Sequence, residues 1–124
     1  MDKLIINSTE TTPQVTFDPE KGMLEIEGRL IPEDVGNFFA PIFEWIENFS
    51  PENNELITAR FCLFYYNTSS SKRILNLMKK LDALYLQGAN LKIRWEYEEG
   101  DEDSVQEGQD YKTFLKVPFE IVKV

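Results

Sequence analysis

The stretch of residues 55–66 constrains the fold more than any other part of this chain. Its later half, Arg60-Phe-Cys-Leu-Phe-Tyr-Tyr66, is almost continuously apolar and contains neither Gly nor Pro. Such a run reads as a strand buried on both faces, the kind found at the centre of a parallel sheet. It stops at Asn67-Thr-Ser-Ser-Ser71. From Lys72 the apolar residues recur at helical spacing through Ile74, Leu77, Met78, Leu81, Leu84 and Tyr85, and Gly88 supplies a stop. A central strand therefore feeds directly into a helix over residues 72–86.

The flanking patterns complete a layered order. Residues 14–17 and 23–27 read as a hairpin joined by Asp18-Pro-Glu-Lys-Gly22, whose Pro and Gly are turn formers, behind a loose lead-in at 9–13. From Pro32 the period changes, and Val35, Phe38, Phe39, Ile42, Trp45, Ile46 and Phe49 fall on one helical stripe. Pro32-Glu-Asp34 suits the first turn of that helix, where proline forfeits no bond and acids face the positive dipole end. Pro41 inside the pattern is expected to kink or restart the helix, because it cannot donate to residue 37. Phe43, off the main stripe, is left to core packing or to a second contact face. A turn follows at 50–54. Residues 91–97 alternate as a further strand, an acidic loop runs to Asp110, and 111–116 finish a short helix. Residues 117–124, with Pro118 near their start, read as a last strand at an edge. The order β-β-α-β-α-β-(α)-β predicts one α/β domain over residues 1–124, a mixed, mostly parallel sheet with helices packed against it.

Composition removes whole classes of function. The chain carries 22 acids against 13 bases, net −9, which repels phosphate backbones and anionic headgroups and makes nucleic acid and membrane poor partners. The absence of histidine removes the commonest general base, the Ser-His and Cys-His nucleophile pairs and most zinc sites. The six glycines fit no phosphate-binding loop, so no nucleotide cofactor is implied. The lone Cys62 sits where a strand core places a small hydrophobe. Glu96, Glu98, Glu99, Asp101, Glu102, Asp103, Glu107 and Asp110 form an acidic run, but aligning Asp101 and Asp103 with an EF-hand puts Gln106 where glycine is required. A solvated loop or a contact surface remains for it; an enzyme built on these acids with Tyr97 or Tyr111 lacks a pocket or partner group in the sequence. No segment directs export or spanning, and a cytoplasmic location is expected.

The chemistry concentrates at residues 67–73. A strand ending at Tyr66 and a helix starting near Lys72 place Asn67, Thr68, Ser69 and Ser70 at the strand's carboxyl end and the helix's amino end, the corner where open α/β sheets put their ligands. First-turn N–H groups attract anions, worth about 0.3–1 kcal/mol at a surface. Lys72, four residues from Thr68, and Arg73 add positive charge. One of Asn67, Ser69 or Ser70 is expected to cap the helix, and a cap by one leaves another hydroxyl available for modification.

Phe64-Tyr-Tyr-Asn-Thr-Ser-Ser70 resembles the aromatic-Asn-Thr-Ser-Ser segment of the SiaC family of bacterial regulatory phosphoproteins. Thr12-Pro13, Phe17-Asp18, Gly22-x-Leu24-Glu-Ile-x-Gly-Arg29, Pro32-Glu33, Pro41-Ile42 with Trp45, Trp95-x-Tyr97 and Val117-Pro-Phe-Glu120 are similar to the family pattern in the family order. Leu30-Ile31 departs from its polar-aromatic pair. The resemblance implies a fold like that of anti-sigma-factor antagonists and a non-enzymatic signalling role. It implies as partners a dedicated protein kinase, a metal-dependent serine/threonine phosphatase and a diguanylate cyclase that the unmodified form binds and activates. By match to Asn-Thr-Ser-Ser, the modified residue is Thr68, with Asn67, Ser69, Ser70, Lys72 and Arg73 around it as the partner-binding corner. A true anti-sigma-factor antagonist, acting on transcription through the same corner, is the alternative. No catalytic or metal-binding residue is assigned.

Overall fold

Alternation of side chains along the strands decides which face of the sheet meets the helices. In the computed structural model, which describes residues 2–51 and 54–124, the order is β1 (Leu4–Ile6), β2 (Gln14–Asp18), β3 (Met23–Leu30), α1 (Val35–Asn48), β4 (Ile57–Tyr66), α2 (Thr68–Leu86), β5 (Leu91–Tyr97), α3 (Glu102–Thr113) and β6 (Phe119–Lys123). The six strands lie side by side in chain order. β1, β2 and β3 pair antiparallel, and β3, β4, β5 and β6 pair parallel. The mixed sheet, the hairpin, the inner position of β4 and the edge position of β6 match the pattern read from the sequence. The turn expected at 50–54 lies partly outside the described residues.

Val15, Phe17, Leu24, Ile26, Ala59, Phe61, Ile93, Trp95 and Phe119 point one way. They join one core with Phe39, Ile42 and Ile46 of α1, Ile74, Leu77 and Leu81 of α2 and Tyr111 of α3. Each parallel crossover steps to the next strand in the same direction, so right-handed crossovers lay all three helices on this face. The other face has no helix, and the expectation that β4 is buried on both faces is corrected. Alternate positions there carry charge. Arg60 gives Nε to Glu96 at 2.9 Å, Nη1 to Glu25 at 3.0 Å and Nη2 to Glu27 at 2.9 Å, while Arg94 Nε meets Glu96 at 2.7 Å. Long side chains laid flat over the strands shield Cys62, which is buried. Burial, with Glu96 nearby, pushes its thiol up to about 11, so it packs as an inert small hydrophobe.

Three helix boundaries differ from the sequence pattern, each for a reason of capping or pairing. α1 starts at Val35 because Asp34 serves as its cap, accepting from Asn37 N–H at 3.0 Å, and not as a first-turn acid. Pro41 is exposed, and the helix runs through it without restarting. Phe43 stacks on Phe39 at 5.5 Å, which places it beside the core. α2 starts at Thr68, four residues before the expected Lys72, and ends as expected: Gly88 takes φ 110°, Gly88 N–H bonds to Tyr85 O and Ala89 N–H to Leu84 O. The acidic stretch is no loop. It forms α3 over Glu102–Thr113, beginning nine residues before the short helix expected at 111–116. β1, unmarked in the sequence pattern, is held by pairing with β2 and by Trp45 Nε1 donating to Asp2 O at 2.9 Å.

One irregularity sets the phase of the chain as it leaves β4. The register with β3 runs Gly28↔Leu63 and then Arg29↔Tyr65, so Phe64 is an extra, unpaired residue: a β-bulge. Regular alternation sends Phe64 to the open face and would turn Tyr65 inward. The bulge keeps Tyr65 beside Arg29 on the open face and turns Tyr66 inward beside Leu30. Phe64 and Tyr65 are accordingly 41% and 58% exposed, two successive outward aromatics immediately before Asn67.

Candidate functional site

The strands β3, β4 and β5 end on one edge of the sheet, and α1, α2 and α3 begin there. All three helices are capped alike. Asp34 Oδ1 accepts from Asn37 N–H at 3.0 Å, Asn67 Oδ1 from Ser70 N–H at 2.9 Å and Asp101 Oδ1 from Ser104 N–H at 3.0 Å. The caps differ in charge. α1 and α3 use carboxylates, and α3 adds Glu102 and Asp103 in its first turn. α2 has a neutral amide cap and no acid in its first turn, so its own residues leave the positive end of its dipole unopposed.

Of the residues the sequence proposed as caps, Asn67 takes the role, which frees the hydroxyls. Thr68 occupies the first position of α2 and is exposed, and its hydroxyl has no hydrogen-bond partner among the described residues. Ser69 beside it is exposed as well. Ser70 is set apart. It is 0% exposed, its Oγ has no hydrogen-bond partner among the described residues, and it continues the inward stripe of Ile74 and Leu77, so its side chain cannot reach a partner protein in the folded state. Lys72 is exposed and Arg73 half-buried. Arg60, Lys80 and Arg94 each hold a carboxylate, but neither Lys72 nor Arg73 forms an ion pair among the described residues.

Two hollows are lined by residues on either side of Asn67 and Thr68 in the chain, and Thr68 lines neither. One is lined by Val35 at the start of α1 and by Ser69, Lys72, Arg73 and Asn76 along the first half of α2. Gly36 lies beside it, and a Cβ there would stand in ordinary contact with Arg73 Nη2 at 3.9 Å and Asp34 Oδ1 at 3.6 Å. The other is lined by Arg29, Ile31, Tyr65 and Tyr66, with the Arg29 guanidinium 5.1 Å from the centre of the Tyr65 ring.

The far flank is α3, which sequence reasoning left as a loop. Trp95 Nε1 donates to Ser104 O at 2.9 Å and Oγ at 3.2 Å, and the Trp95 ring meets Tyr66 and Tyr111 edge-on at 5.9 and 5.3 Å. Gly108 passes so close that a Cβ would come within 2.6 Å of Trp95 Cδ1. The Tyr111 hydroxyl donates to Ser71 O at 3.4 Å, tying α3 to the first turn of α2. Burial, reinforced by the Glu107 carboxylate, pushes the Tyr66 phenol up to about 12. Burial, reinforced by Glu107 nearby, raises Tyr111 further. Both phenols therefore stay neutral. The signal that could have found α3 is Asp101-x-x-Ser104, a cap followed by its N–H partner.

A family profile described as "SiaC family regulatory phosphoprotein" matches residues 6–124. The chain belongs to the SiaC family. An uncharacterized protein of Pseudomonas aeruginosa strain UCBPP-PA14 is 26% identical to it over 121 residues, 98% of this chain and 96% of that protein. The solved structure of SiaC of Pseudomonas aeruginosa superposes with a TM-score of 0.89 at 25% identity, covering 100% of both chains. The same TM-score, 0.89, at 26% identity over 98% of this chain and 99% of the other, is found for the crystal structure of the diguanylate cyclase SiaD in complex with its activator SiaC, from the same organism. As a SiaC-family member the chain is a regulatory protein, and no helix among its described residues is long and apolar enough to cross a membrane.

Proposed function

We propose that this SiaC-family chain is a cytoplasmic, non-enzymatic switch. Unphosphorylated, it binds and activates a diguanylate cyclase; phosphorylated at Thr68, it releases the enzyme. A dedicated protein kinase places the phosphate and a metal-dependent serine/threonine phosphatase removes it. The observation that carries the reading is the solved complex of SiaC with the cyclase SiaD, in which the activator has this fold over essentially this whole length.

The local chemistry supports Thr68 as the switch residue. Its hydroxyl is exposed because Asn67 has taken the cap. A phosphoryl group there brings about −1.5 to −2 charges and three acceptor oxygens to a rim with two unpaired cations on one side and the acidic first turn of α3 on the other. Docking over it would then require burying a multiply charged group, which opposes association by desolvation and by repulsion of any acid on the partner. The test is binding of a purified diguanylate cyclase to Thr68→Ala and Thr68→Glu. Thr68→Ala is expected to bind like the unmodified chain and Thr68→Glu about tenfold or more weakly. Equal binding by the two would sink the switch.

A further inference from the structure

The two hollows beside Thr68 have different chemistry and one common boundary. Along β4 and α2, Tyr66 ends the first hollow and Ser69 begins the second, with Asn67 and Thr68 between them. Along β3 and α1, Ile31 lines the first and Val35 the second. Thr68 therefore stands on the divide. The first hollow is formed by Ile31 and the Tyr65 and Tyr66 rings, with the Arg29 guanidinium over Tyr65, and beside it Phe64 and Tyr65 are exposed on the open face to which the bulge turns them. Adjacent exposed aromatics held outward by a backbone irregularity favour a contact role. The second hollow is cationic, with Lys72 and Arg73 free of ion pairs among the described residues of a chain whose net charge is −9.

Resting on the reading of Thr68 as a switch over a cyclase-binding face, we propose that the docked partner segment carries two determinants. An apolar anchor sits on Tyr65 and Ile31, and an Asp or Glu close to it reaches Lys72 and Arg73. The charge complementarity is local. The surface as a whole is acidic and repels a second copy, yet the charged side chains that line this hollow, Lys72 and Arg73, are both positive and form no ion pair among the described residues. The proposal also gives the switch its direction. Phosphate on Thr68 occupies the divide, takes Lys72 and Arg73 for itself and repels the partner's carboxylate, while the apolar hollow stays unchanged.

The experiment measures binding of the full-length diguanylate cyclases of the source bacterium to the full chain and to three sets of variants. Tyr65→Ser is expected to weaken binding about tenfold, as loss of a central aromatic anchor does. Lys72→Gln with Arg73→Gln is expected to weaken it about tenfold and to flatten its dependence on salt. Thr68→Glu in that double-Gln background is expected to add a smaller loss than it does in the wild-type chain, because the part of its effect that comes from neutralising Lys72 and Arg73 is already gone. All substituted positions are exposed or half-buried, and Arg29→Gln, which frees the Tyr65 ring, serves as a second probe of the apolar hollow should Tyr65→Ser fold poorly. Binding within about twofold of wild type for both Tyr65→Ser and the double-Gln variant, or strictly additive loss with Thr68→Glu, overturns the proposal while leaving the switch intact. Failure of the unmodified wild-type chain to bind any of the cyclases overturns both. A wild-type chain that sediments as a dimer dissolved by Tyr65→Ser overturns it in favour of self-association.

Discussion

The amino ends of α2 and α3 are built on one plan and put to different uses. Both begin where a parallel strand ends, both are capped by a side chain accepting from the third residue on, and in both that third residue is a fully buried serine, Ser70 or Ser104. At α3 every element of the plan is consumed internally. Asp101, Glu102 and Asp103 answer the dipole, and Ser104 is tied to the Trp95 indole. At α2 the cap is neutral, the first hydroxyl is exposed, and Lys72 and Arg73 form no ion pair among the described residues. The same local architecture thus makes an anchor in one place and a receptive surface in the other. What separates them is the charge of the cap and first turn and the presence of an indole to lock the serine, and neither is visible in the backbone.

The comparison breaks first at Trp95. Trp95→Ala removes the fully buried ring against which α3, Tyr66 and Tyr111 pack, and a loss of about 3–5 kcal/mol in urea unfolding is expected. A loss under about 1 kcal/mol would mean α3 is not anchored as described. Gly108→Ala presses a methyl group onto the same indole and should cost about 1–3 kcal/mol, with a change in tryptophan emission. Asn67→Ala and Asp101→Ala should each cost about 1 kcal/mol, which sharpens the claim that the two caps are equivalent in structure. Smallest of all is Thr68→Ala, with a change in stability within about 0.5 kcal/mol, since its hydroxyl holds nothing. A larger loss there would make Thr68 a structural residue.

How much of this was legible in the sequence follows the length of each signal. β4 and α2 announced themselves through long apolar patterns, and the Asn67–Arg73 corner came with them. The family segment around Thr68 then singled out one hydroxyl among four. α3 was illegible for a physical reason: its buried residues among the acids are Ser104, Gly108 and Tyr111, which carry no apolar period, because the side that meets the sheet is shaped to fit an indole. β1 is three residues long and exists by pairing with β2, which no local pattern encodes. The apolar run in β4 was read as burial on both faces. It is instead a buried strand whose last aromatics are turned outward by a single extra residue, and the register that reveals this depends on β3.

In the proposed switch, the state of one exposed hydroxyl at the amino end of α2 governs partner binding. The most direct measurement is calorimetric titration of a diguanylate cyclase with two preparations of the full chain, one unmodified and one phosphorylated stoichiometrically at Thr68. The unmodified chain is predicted to bind and the phosphorylated chain to bind at least about tenfold more weakly. Equal affinity of the two preparations, or tighter binding by the phosphorylated one, would contradict the account.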